Sequence, residues 1–251
     1  MKEITDTYNF FNNVLDKKFN PRDWTKDWEN NVPVPKLVLD GFLPQNVVDA
    51  MLHEAESIPD HYWTNFTRNR SLMRECKVFD STPVLQTVAN CFNSSRFINW
   101  LEAITKKTGV ISDPHLVGAG LSKCYAGNSL KLHTDFNWND ELQLNRTASA
   151  IFYFNPTWEE EWGGSLEFWD FDRTHIVDHV VPFPNRLLIW DYDDRLLHGY
   201  PDALSCPDDQ YRLNMRLFYY KSNSTPINPP HRSLYWWDED TKTPYDDRTE
   251  I

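Results

Sequence analysis

Between His115 and Tyr220 the chain breaks into seven short β-rich runs separated by turn residues, and that rhythm constrains the fold of these 251 residues most. The runs are His115–Tyr125, Lys131–Asp135, Ala148–Phe154, Ser165–Trp169, Ile176–Val181, Arg186–Asp191 and Arg212–Tyr220. Strands this short and this evenly spaced predict a sandwich or jelly-roll barrel. Glycine is scarce at 8 while proline reaches 16, so the turns lean on Pro, Asn and Asp.

The segments before and after the β-rich half read differently. Residues 1–35 are polar and aromatic, end in Val32-Pro33-Val34-Pro35, and are expected to lie as an arm on the core. Lys36–Asp40 is a strand candidate. Val47, Val48, Met51, Leu52 and Ala55 recur at helical spacing within Gln45–Ser57. Thr82-Pro83 predicts an N-cap with proline at the first helical position, opening a helix over Val84–Phe92. A second helix is expected over Ser95–Lys107, with Gly109 placed to end it. Past Ser222 the chain is polar, with Pro226, Pro229, Pro230 and a Tyr235-Trp236-Trp237 cluster. The organisation expected is one structural domain: arm, strand and helices over 1–112, a β-barrel over 113–221, and a tail over 222–251.

Charge narrows the function classes. Lys and Arg number 25 against 37 Asp and Glu, a net charge of −12. So acidic a surface repels phosphate backbones and anionic membranes, so neither nucleic acid nor membrane is an expected partner. The N-terminal stretch carries acids and no apolar run, and nothing approaches the ~18 apolar residues a spanning helix needs. The four cysteines, Cys76, Cys91, Cys124 and Cys206, are far apart and form no CxxC. That pattern suits reduced thiols and a cytoplasmic protein better than a disulfide scaffold or a zinc ribbon.

The chemistry gathers in the β-rich half. In Leu132-His133-Thr134-Asp135, residues i and i+2 of a strand share a face, so one imidazole and one carboxylate converge on a single metal. Alone this triplet is weak. His198 follows the apolar run Leu187–Trp190 and stands at the far end of the barrel, where it would close a facial His-Asp-His set. Such a set leaves octahedral positions open, as in non-haem Fe(II) oxygenases. Arg212, Asn214 and Arg216 alternate with Leu213, Met215 and Leu217, which places the three polar residues on one side, toward the lumen. A buried arginine there needs an anion, and a small dicarboxylate cosubstrate would supply it.

With these residues in order, Lys123–Tyr220 resembles the 2-oxoglutarate- and Fe(II)-dependent dioxygenases of the prolyl 4-hydroxylase-like superfamily, especially bacterial and phage members. The matching pieces are His133-Thr134-Asp135-Phe136-Asn137, Arg146, and Phe152-Tyr153-Phe154-Asn155-Pro156-Thr157-Trp158. Then come Glu161-Trp162-Gly163-Gly164-Ser165-Leu166-Glu167-Phe168, Pro184-Asn185-Arg186-Leu187, His198-Gly199 and Arg212-Leu213-Asn214. The resemblance implies a mainly β protein with N-terminal helices and a double-stranded β-helix (jelly-roll, cupin-like) core. It implies Fe(II) held by His133, Asp135 and His198, and 2-oxoglutarate held by Arg212. Tyr125 stands where related enzymes keep a tyrosine on the same carboxylate, and Asn214 replaces a frequent serine. Gly163-Gly164 would make the tight turn into the next strand.

The implied activity is hydroxylation of an unactivated C–H bond with O2, releasing succinate and CO2, with ascorbate as the reductant. The expected substrate is a peptide or a free amino acid, with proline the family default. Another small metabolite, sugar-like or otherwise, is the alternative within the same chemistry. A jelly-roll module stacking sugars on tryptophans is the alternative outside it, but it would not need His133, Asp135, His198 and Arg212 in register. Asp135 itself disfavours a halogenase, whose halide needs that space. Arg146 is read as a structural ion-pair partner.

Overall fold

The computed structural model describes residue 9 and residues 11–67, 72–77, 82–223, 227–236 and 245–246. Trp237, Pro226 and the acidic stretch 238–240 lie outside the described residues. Two antiparallel sheets face each other, as expected of a double-stranded β-helix, and helices cover one of them.

The arm is more structured than its composition suggests. Asn20 accepts a hydrogen bond from the Arg22 amide through Oδ1, Pro21 sits in the first turn, and a helix follows, α1 (Pro21–Asn30). Phe11, Val14, Leu15, Phe19 and Trp28 are buried in the main core. Strand β1 (Lys36–Asp40) leads to α2 (Gln45–Ser57), as the spacing predicts. After the hairpin β2 (Thr64–Phe66) and β3 (Met73–Cys76) come α3 (Pro83–Asn93) and α4 (Ser95–Thr105).

The start of α3 corrects the expected cap. Thr82 makes no side-chain capping bond; the Glu54 carboxylate of α2 accepts from the Val84 and Leu85 amides, at 3.0 and 2.9 Å. A carboxylate at those orphan donors also meets the positive end of the helix dipole. Helix α4 ends earlier than expected: Lys106 takes the left-handed conformation at φ 56°, ahead of Gly109.

The remaining strands are β4 (Val110–Ser112), β5 (Gly120–Cys124), β6 (Leu130–Thr134), β7 (Trp138–Asn139) and β8 (Leu144–Tyr153). They continue with β9 (Leu166–Trp169), β10 (Ile176–Val180), β11 (Arg186–Asp191), β12 (Leu197–Tyr200) and β13 (Arg212–Lys221), then β14 (Leu234–Trp236) and β15 (Tyr245–Asp246). The major sheet runs β1-β11-β8-β13-β5-β3-β2, with β4 on β13 and β7 on β8; the minor sheet runs β10-β9-β12-β6-β14-β15. The tail thus adds strand β14 beside β6.

Strand parity sorts the two faces of the major sheet. Leu213, Met215, Leu217 and Tyr219 pack with Val48, Met51, Phe92 and Phe97 of the helices. Arg212, Asn214, Arg216 and Phe218 therefore point into the barrel. On β8, Ala148, Ala150 and Phe152 face the helices, while Ile151 and Tyr153 join Leu166, Phe168, Leu188 and Trp190 inside. Burying these apolar side chains stabilises the closed barrel by roughly 1.5–3 kcal/mol each. Among the described residues, no helix is long and apolar enough to cross a membrane.

Candidate metal centre

Strands β6 and β12 pair with His133 opposite His198, and the two ring centroids are 4.4 Å apart. Asp135 follows β6 directly. Ligand atoms from His133, Asp135 and His198 all lie within 4.8 Å of one another, and all three residues are buried. His133 Nε2 is 3.7 Å from Asp135 Oδ1, and His198 Nε2 is 3.6 Å from Asp135 Oδ2. His133 Nδ1 contacts the Lys131 carbonyl at 2.8 Å and His198 Nδ1 contacts the Leu196 carbonyl at 3.4 Å. Proton donation from each Nδ1 leaves both Nε2 lone pairs aimed at the common point.

The electrostatics suit a cation there. Burial lowers the His133 imidazole to about 3, helped by the neighbouring His198. Burial also lowers His198, so both rings are neutral donors near pH 7. Burial pushes the Asp135 carboxyl upward, but Arg146 and the two imidazoles outweigh it and hold the group well below the usual carboxylate range. Arg146 Nη1 lies 2.7 Å from Asp135 Oδ2, and its guanidinium carbon sits 4.0 Å over the Phe136 ring and 3.5 Å over the Phe218 ring. Two neutral nitrogens and one ionised carboxylate form a donor set that fits a divalent ion such as Fe(II).

The two inward arginines have different surroundings. Arg216 is paired with Glu75 of β3, and both line a cavity of about 190 Å³ together with His133, Asp135 and His198. Arg212 lies deeper and is 2% exposed. Its Nε donates to the Gly164 carbonyl at 3.0 Å and its Nη2 to the Tyr153 hydroxyl at 3.1 Å. Among the described residues it makes no ion pair. Gly163 and Gly164 both take positive φ, and a Cβ on Gly164 would come within 2.5 Å of Leu204 Cδ2 and 3.3 Å of Arg212 Cδ. The turn is thus glycine for close approach as well as for conformation. Asn214 is buried with Oδ1 unpartnered among the described residues, opposite Tyr153 on β8.

Tyr125 is not brought to this site. It follows β5, packs against the helix-side core and lies 6.0 Å from the Tyr211 ring; the tyrosine whose hydroxyl accepts from Arg212 is Tyr153. The physical reason is parity: Tyr125 shares the side of Lys123, opposite to Cys124.

Further residues around the centre carry no obvious motif. Ser149 donates to Asp135 Oδ2 at 3.4 Å, and the Tyr192 hydroxyl contacts the Asp135 carbonyl at 3.0 Å and Asp194 Oδ1 at 2.5 Å. Asn137 Oδ1 accepts from the His231 amide and Asn137 Nδ2 donates to the Pro229 carbonyl, fastening the tail to the strand end that bears Asp135. A larger cleft of about 1180 Å³ lies behind Arg146 and Tyr192, and none of the three candidate ligands lines it.

Residues 120–220 match the family model of the 2OG-Fe(II) oxygenase superfamily, and the resemblance read from Lys123–Tyr220 falls inside that segment. A prolyl 3-hydroxylase of Mus musculus is 28% identical over 117 residues, 39% of this chain. The chain spans 21% of that relative's length. A prolyl-4-hydroxylase of Pseudomonas putida has a TM-score of 0.59 at 15% identity, covering 81% of this chain and 100% of its own. A prolyl hydroxylase of Trichoplax adhaerens, solved with a peptide of hypoxia inducible factor, has a TM-score of 0.58 at 16% identity, covering 80% and 89%. These neighbours share the double-stranded β-helix.

Proposed function

We propose that this chain, whose barrel matches the 2OG-Fe(II) oxygenase superfamily, is an Fe(II)- and 2-oxoglutarate-dependent dioxygenase that hydroxylates an unactivated C–H bond. The observation that carries the reading is the convergence of two neutral imidazoles and an ionised carboxylate in one barrel with a buried arginine that has no anionic partner among the described residues.

In this reading His133, Asp135 and His198 hold the metal through Nε2, a carboxylate oxygen and Nε2. Arg212 holds the distal carboxylate of 2-oxoglutarate, with the Tyr153 hydroxyl beside it and the Asn214 amide available as a further polar contact. A buried cation without a counter-ion is costly, and a dicarboxylate supplies that charge. Arg216 is the weaker candidate for the anchor because Glu75 already neutralises it. When bound, Fe(II) with 2-oxoglutarate and O2 supplies the oxidising equivalent that inserts one oxygen atom into C–H and leaves the other in succinate, with CO2 released. The protein's own work is positioning and exclusion of water. Arg146 keeps Asp135 ionised, the carbonyls of Lys131 and Leu196 fix the imidazole tautomers, and Phe168 and Trp190 wall His198 at ring distances of 6.2 and 5.5 Å.

The prolyl hydroxylase relatives and the acidic surface favour a peptide or a free amino acid over nucleic acid as substrate. Ascorbate is the reductant of choice for assay. The test is succinate formation from 2-oxoglutarate with Fe(II) across amino acids and proline-containing peptides. Substrate-stimulated succinate release supports the reading. A protein that binds divalent metal but never 2-oxoglutarate overturns it.

A further inference from the structure

The wall of the small cavity pairs two opposite charges, Arg216 and Glu75, beside the three candidate metal ligands and a set of aromatic side chains. Arg216 stands opposite Gly120 on β5, Glu75 on β3 stands opposite Ser122, and the two side chains pair diagonally across β5. The two side chains are 17% and 22% exposed. Phe66, Trp190, Phe218 and Tyr235 line the same cavity, as do the three candidate metal ligands.

We infer that Arg216 and Glu75 are the specificity-determining pair of this site, and that they select a free, zwitterionic α-amino acid. This rests on the oxygenase reading and narrows its substrate. A zwitterion laid antiparallel to the pair sets its carboxylate on Arg216 and its ammonium on Glu75. The pair need not open: the four charges alternate, and each has two opposite neighbours. A purely anionic substrate would meet Glu75, and a purely cationic one would meet Arg216, so the pair repels both. An internal residue of a peptide carries neither charge at its Cα and leaves both protein charges unmatched. The cavity, at about 190 Å³ and shared with the metal ligands, favours a small ligand over a length of chain. The aromatic walls then receive the side chain and present one of its carbons toward the metal ligands.

The experiment is calorimetric titration of the full chain loaded with Ni(II) and 2-oxoglutarate. The probes are the twenty free L-amino acids with their N-acetyl and carboxamide derivatives. At least one free amino acid is expected to bind, with both blocked forms at least tenfold weaker. E75Q should weaken the free amino acid about tenfold and tighten its N-acetyl form, whose carboxylate then meets no like charge. R216Q should do the same with respect to the carboxamide. Equal binding of free and blocked forms overturns the inference, as does failure of every free amino acid to bind. Loss of 2-oxoglutarate rather than amino-acid affinity in R216Q also overturns it, by making Arg216 the cosubstrate anchor. The ligand series on the unaltered protein decides the matter even where a variant does not fold. Absence of 2-oxoglutarate binding to the unaltered, Ni(II)-loaded protein is a separate result that removes the oxygenase reading itself.

Discussion

Tyr235 stacks on His133, with ring centroids 4.9 Å apart and planes 17° from parallel. The contact follows from register, since β14 pairs with β6 so that Tyr235 lies opposite His133. A residue of the C-terminal segment therefore helps fix the ring that aims a donor nitrogen at the candidate metal centre. Replacing Tyr235 with Ala removes an aromatic contact worth about 0.5–1.5 kcal/mol. The expected outcome is several-fold weaker divalent-metal affinity, with Phe in its place restoring most of it. Metal titration followed by calorimetry measures both; equal affinity in all three proteins would show that the stack positions nothing.

Arg212 gives the sharpest test of the cosubstrate assignment. Arg212→Ala should raise the 2-oxoglutarate requirement by one to two orders of magnitude and leave metal affinity within about twofold. Charge-assisted bonds of this kind are worth about 1.5–3 kcal/mol. Tyr153→Phe should give a smaller rise in the same direction. Titrating 2-oxoglutarate against the Ni(II)-loaded variants reads both, and a metal-affinity loss as large as the cosubstrate loss would contradict the assignment.

Asp135 has two roles that one substitution separates. Its carboxylate is a candidate ligand and also the counter-charge of buried Arg146. Asp135→Ala should therefore lose metal binding and destabilise the metal-free protein, by about 3–5 kcal/mol if Arg146 stays charged and unpaired. Stacking of Arg146 between Phe136 and Phe218 softens that figure. The double variant Asp135→Ala with Arg146→Met should recover stability without recovering the metal. Urea denaturation with parallel metal titration is the measurement, and a stable single variant would mean the ion pair contributes little.

Much of the architecture was legible in the sequence because it rests on local rules. The helical spacing of Val47, Val48, Met51 and Ala55 predicts α2 to its ends, and the alternation from Arg212 to Phe218 predicts the inward face of β13. His133 and Asp135 are two apart and report their own convergence. What escaped depends on pairing between distant segments. Strand β8 is buried along its whole length, so it shows no polar alternation to mark Tyr153 as inward. Only its register, with Tyr153 opposite Asn214, brings Tyr153 beside Arg212. Strand β14 is three residues without turn signals, and it becomes a strand because β6 offers it an open edge. Glu54 capping α3 is likewise a tertiary contact that no local pattern announces.

The last prediction concerns acid sensitivity of the metal-free protein. His133 in the folded state takes up a proton only near pH 3, and His198 is also lowered, whereas both titrate near 6.5 once unfolded. Between those values the unfolded chain binds more protons than the folded one, so stability rises with pH and is lost as pH falls. The contribution is fully present above about 6.5 and declines toward 3. Each fully titrating imidazole gives a slope of about 1.4 kcal/mol per pH unit. Asp135, held below its ordinary range, adds to the loss only at the acid end. Urea unfolding at pH 7.5, 6.5, 5.5 and 4.5 should therefore give a flat region followed by a steep fall. A divalent metal should deepen the contrast, because protons then compete with the ion for the same Nε2 atoms. His133→Gln together with His198→Gln should flatten the slope between 6.5 and 4.5. An unchanged slope in that variant would place the titrating groups elsewhere and leave the two rings out of the acid response.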